Sequence, residues 1–183
     1  MAGSVIEAWQ GIFRSQKSLI ERAAAQLDDA QLHEPVAPET NPVSVILLHV
    51  AGSMRSRFTD WLTTDGEKPW RNREGEFDLA AARALSRDEI MSRWEASWRV
   101  LLEALAALSP ADVDRTVRIR GEGHSVAEAI ERQVSHYGYH AGQIVLIARI
   151  LVQRSGGTWE HLSIPPGQTE AFNRAMRSRH GNF

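Results

Sequence analysis

Within residues 126–153, apolar side chains stand at Ile130, Val134, Tyr137, Ala141, Ile144, Ala148 and Leu151, in alternating steps of four and three. That spacing draws one unbroken stripe down a long α-helix, and a stripe of this length must be covered by other helices. Ser125 and Glu128 have the spacing of a capping box, which starts the helix by satisfying free N–H groups of its first turn. The segment is expected to be the central helix of the fold.

Three further segments supply its partners. Residues 4–27 carry Ile6, Trp9, Phe13, Ile20, Ala24 and Leu27 at helical spacing and end before the turn-rich HEPVAPETNP. After Pro42 a second helix runs to about residue 62, with Leu47, Ala51, Met54, Phe58 and Trp61 on one stripe. A third begins at the Ser86/Glu89 capping box, presents Trp94, Trp98, Leu101, Leu105 and Leu108, and stops at Ser109 and Pro110. TVRIRGEGH alternates Val117 and Ile119 with arginines and reads as a brief extended excursion before the fourth helix. GGTWEHLSIPPG excludes helix, and residues 168–177 could form one more short one. The pattern predicts an all-α four-helix bundle with that excursion and a short C-terminal helix, as one domain over residues 1–183. The connection 63–85 is long enough for a crossover.

The chain has 21 basic and 23 acidic side chains among 183 residues, a net charge of −2, and no cysteine. Nucleic-acid binding generally leaves a basic footprint, and the one local excess is the tail with Arg174, Arg177, Arg179 and His180. No nucleic-acid partner is expected. Absence of cysteine excludes disulfides and any chemistry using a thiol of this chain, so a reacting thiol would have to arrive as substrate. The N-terminal MAGSVIEAWQGIF lacks a basic leader region, and the apolar runs at 43–51 and 144–152 are too short to span a bilayer. A cytoplasmic protein without a membrane partner is expected.

Histidines supply the candidate chemistry. His136 and His140 lie four residues apart, hence on one helical face about 6 Å apart along the axis. They share a stripe with Gln133, Gln143 and Ile147 beside the apolar seam. His49 stands in the apolar run VSVILLHVA, where a neutral imidazole needs hydrogen-bond partners or a metal. Its own face carries Val45, Gly52, Ser53 and Ser56, small neighbours that would leave room for an ion and a ligand. From residues alone, the three histidines read equally well as core side chains without metal. His33, His124 and His180 have ordinary polar settings, and His161 beside Trp159 is undecided.

One histidine early in the second long helix, followed by HYGYHAGQI in the fourth, resembles the DinB-like superfamily of metal-binding four-helix bundles. HVAGSMRSRFTDWLTTDGEKPWRNREGEF, IRGEGHSVAEAI and WEHLSIPPGQTEAFN are similar to a subgroup whose members mostly lack assigned functions. The resemblance covers nearly the whole chain and matches His49, His136 and His140 to the family's metal-binding triad. It implies nickel or zinc as the divalent transition metal, a homodimer, and kinship with transferases that use low-molecular-weight thiols.

Three neutral nitrogen ligands without a protein thiolate or carboxylate leave a metal at least one open position, as in catalytic sites. Water or a substrate thiol there would ionise near neutral pH. The expected function is a metal-dependent enzyme, a transferase joining a small thiol to an electrophile. The alternatives are a metal-dependent hydrolase and a non-catalytic stress-response binding module with a structural metal. No catalytic side chain is singled out. Gln143 is expected to hydrogen-bond near the site. Of Tyr137 and Tyr139, one is expected in the core and the other at the surface. Arg55, Arg57, Arg71, Arg73, Arg118 and Arg120 could form a cationic rim, while Trp70 and Trp159 are expected to plug the end of the bundle.

Overall fold

The computed structural model describes residues 4–180. The first three residues of the N-terminal stretch read above, and the His180 side chain, lie outside the described residues. Among those described, the order is α1 (Val5–Ala24), α2 (Asp29–Leu32), α3 (Val43–Phe58), α4 (Leu79–Arg83), α5 (Arg87–Ala106), β1 (Thr116–Ile119), β2 (Glu122–Ser125), α6 (Val126–Arg154) and α7 (Thr169–His180). The fold is mostly helical, as the periodicity predicts.

Local chemistry sets the helix starts. Ser86 with Glu89 and Ser125 with Glu128 form the expected capping boxes, and Ser4 with Glu7 forms a third at the head of α1. The four long helices touch in the ring α1, α6, α3, α5 and back to α1. Their shared core gathers Phe13, Phe58, Trp94, Trp98 and Tyr137, all buried. The Phe13 ring lies edge-on or tilted to Phe58, Trp98 and Tyr137 at centroid distances of 6.5, 6.3 and 5.9 Å. No described helix is long and apolar enough to cross a membrane.

Two features go beyond the sequence expectation, and a third agrees with it. TVRIRGEGH forms all but the last residue of a β-hairpin, with Ile119 paired to Glu122 across a two-residue turn. Arg120 and Gly121 hold φ of 56° and 79°, the left-handed pair that a type I′ turn needs. The Asp65 carboxylate accepts from both of their N–H groups, at 2.8 and 2.7 Å, and ties the hairpin to the loop after α3. The long connection joins α3 to α5, two helices in direct contact that both run antiparallel to α1 and α6, so it returns along the bundle as the crossover the sequence allowed. It also holds α4 and a 3₁₀ turn at Glu74–Phe77, whose four or five residues are too few to display a period in the sequence.

Candidate metal centre

The three histidines that the sequence singles out converge. Helical geometry sets His136 and His140 of α6 one turn apart, with Nε2 atoms 3.0 Å from each other. α3 packs against α6 and brings His49 Nε2 to 3.4 Å from His136 Nε2. All three candidate ligand atoms lie within 4.8 Å of one another. His49 and His140 are buried and His136 is half-buried.

These separations suit a shared ion. Nitrogens about 2.1 Å from one metal stand about 3.0 Å apart at a right angle and about 3.4 Å apart at the tetrahedral angle. The hydrogen-bond partners give an independent reason. Glu76 places its carboxylate 2.9 Å from His49 Nδ1. A carboxylate only accepts, so Nδ1 carries the proton, and in that tautomer Nε2 holds the lone pair. Gln143 donates its amide N–H to the Tyr139 hydroxyl at 2.9 Å, which leaves its carbonyl to accept from His140 Nδ1 at 2.8 Å. His140 Nε2 is therefore a lone pair as well. Both lone pairs aim at His136 Nε2, which has at most one proton to give, whereas a cation satisfies all three nitrogens.

Electrostatics favour the neutral ligands a metal requires. Burial, then the neighbouring imidazoles of His140 and His49, pushes His136 down to about 3. Burial likewise takes His140 down to about 4; His49 adds to this, and the Gln143 hydrogen bond opposes it. For Glu76, burial works against the charge, but hydrogen bonds from Arg71 and His49 outweigh it and hold the carboxyl below its usual range.

The backing of His49 is the part that sequence reasoning missed. Arg71 grips Glu76 through Nε at 2.8 Å and a terminal nitrogen at 2.9 Å, and its side chain is 3% exposed. The Phe77 ring lies against His49 at a centroid distance of 4.6 Å. Gly52 makes this possible, since a Cβ there would overlap the Glu76 carboxylate. Small residues on the His49 face thus make room for a carboxylate, where the sequence suggested room for an ion and a ligand. That stretch of the sequence, a glycine one turn from a buried histidine, was the available clue.

Of the other expectations, Gln143 does contact the site, Tyr137 is in the core and Tyr139 is 63% exposed. The free cationic rim is not found. Arg71 is paired as described, Arg57 and Arg120 bind Glu67 at 3.0 Å, Arg73 binds Glu74 at 2.9 Å, and Arg118 donates to the Gly121 carbonyl at 3.0 Å. Arg55 stands 5.2 Å from the centre of the Trp70 ring, and Arg73 at the same distance from that of Phe77. Trp159 packs against the core, but Trp70 is 51% exposed and plugs nothing. His161 is exposed, and its backbone carbonyl receives Arg22.

No curated protein matches the sequence. A family model described as a protein of unknown function, DUF1572, matches residues 1–168, which takes in all four long helices and the three histidines. The chain belongs to the DUF1572 family.

Proposed function

We propose that this protein is a metal-dependent enzyme of the DinB-like kind, a single-domain four-helix bundle in which His49, His136 and His140 hold one divalent transition metal, nickel or zinc. The observation that carries this reading is the convergence of three imidazole nitrogens, two of them fixed as lone-pair donors by Glu76 and Gln143. A divalent ion held by three neutral ligands keeps its full charge and an open position, and so supplies Lewis acidity to an incoming nucleophile. The protein's part is to hold the ligands rigid: Glu76, clamped by Arg71, orients His49, and Gln143 orients His140. Tyr139, exposed beside His140 at a ring distance of 5.0 Å, is the side chain placed to meet a substrate.

The nucleophile in this reading is a low-molecular-weight thiol, transferred to an electrophilic small molecule. The lack of any cysteine supports it, because no internal sulfur competes for the ion. The resemblance to the DinB-like superfamily supports the same chemistry and a homodimeric, cytoplasmic protein. Metal analysis of protein purified without an affinity tag should return one equivalent of nickel or zinc. Loaded protein should then consume thiol and electrophile together from a panel of both. Turnover of esters or amides without thiol would replace this reading with hydrolysis. A metal that no exogenous ligand can reach would make it a staple, and metal-free protein with unchanged stability in EDTA would overturn the site.

A further inference from the structure

Behind Glu76 lies a second concavity, between α3, α4, α5 and the loop before α4, with a volume of about 600 Å³. That is the size of a small-molecule pocket. None of the three histidines lines it.

We propose that this cavity binds a small organic acid with a flat apolar body. Its charged walls are Arg55, Arg71, Arg93 and Glu76. Arg71 and Glu76 neutralise each other through their two-point contact. Among the described residues, neither Arg55 nor Arg93 has a carboxylate within 4.0 Å. Glu89, one turn before Arg93 on α5, is held by the N–H and hydroxyl of Ser86 at 2.8 Å each. Two arginines without an ion-pair partner therefore line the cavity, and guanidinium suits a carboxylate or similar anion in forked geometry. The apolar wall is equally marked. The Trp70 indole is half exposed with Arg55 against its face, and Leu48 and Leu85 line the same space. A small inorganic anion would leave most of this volume and the exposed part of the indole uncovered, whereas a planar ring can pack against both.

The test uses the full chain, zinc-loaded so that its spectrum stays diamagnetic, with 1-naphthoate, neutral 1-naphthamide and inorganic phosphate as probes. Nitrogen-resolved NMR follows the Trp70 indole N–H and the amides of Ala81 and Ala82, which lie along the cavity. Naphthoate should shift these resonances saturably, naphthamide should bind at least tenfold more weakly, and phosphate should leave them in place. The double variant Arg55→Ala/Arg93→Ala, and separately Ala96→Trp, which fills the cavity without touching a charge, should each weaken naphthoate at least tenfold while zinc content stays unchanged. No saturable shift at Trp70, equal affinity for naphthamide, or equal affinity for phosphate would overturn the proposal. So would binding that disappears on zinc removal and survives both variants, since the carboxylate would then be sitting on the metal.

Discussion

Replacing Glu76 by glutamine removes one charge from the least exposed part of the site, where His49, Glu76 and Arg71 side chains are 6%, 11% and 3% exposed. The amide cannot serve both neighbours. If its oxygen stays on His49 Nδ1–H, its NH2 meets the guanidinium of Arg71, donor against donor. If its oxygen turns to Arg71, the NH2 faces Nδ1, which favours the tautomer with the proton on Nε2, the atom turned towards the other two imidazoles. Removing a partner that orients a metal-binding histidine typically lowers metal affinity 10- to 100-fold, or about 1.4–2.7 kcal/mol. Breaking a buried ion pair costs about 3–5 kcal/mol, and the Glu67 carboxylate 3.8 Å from Arg71 should keep the loss towards the lower end. The assays are zinc competition against a chelator of known affinity and urea unfolding of the metal-free protein. Glu76→Gln should stay folded, unfold at lower urea, and bind zinc 10- to 100-fold more weakly. Zinc affinity within twofold of the parent would refute the argument that Glu76 sets the His49 tautomer.

Three further outcomes follow from the same geometry. His140→Ala, or His49→Ala, should abolish stoichiometric metal binding while leaving helical circular dichroism intact, because His140 and His49 contribute one nitrogen each to the triad; wholesale unfolding would instead make the metal a staple. Gly52→Ala should displace the Glu76 carboxylate and weaken zinc binding in the same assay, and unchanged affinity would show that Glu76 can be moved without consequence. Phe13→Ala empties the junction of Phe58, Trp98 and Tyr137, a loss of about 3–5 kcal/mol in urea unfolding.

The sequence by itself determined what local rules govern. The period of the apolar residues set the four long helices, and the Ser/Glu spacings at 86–89 and 125–128 set two of their starts, because capping is decided within one turn. The i, i+4 spacing put His136 and His140 on one face, since a helix fixes that relation wherever it packs. Tertiary structure decided the rest. His49 joins the pair across 87 positions only because α3 packs on α6, and no spacing rule reaches that far. Glu76, Arg71 and Phe77 come from a connection with no period to read, where one acid among 23 carries no mark of its role. Their placement depends on burial, which strips water from a carboxylate and leaves a guanidinium and an imidazole N–H to replace it.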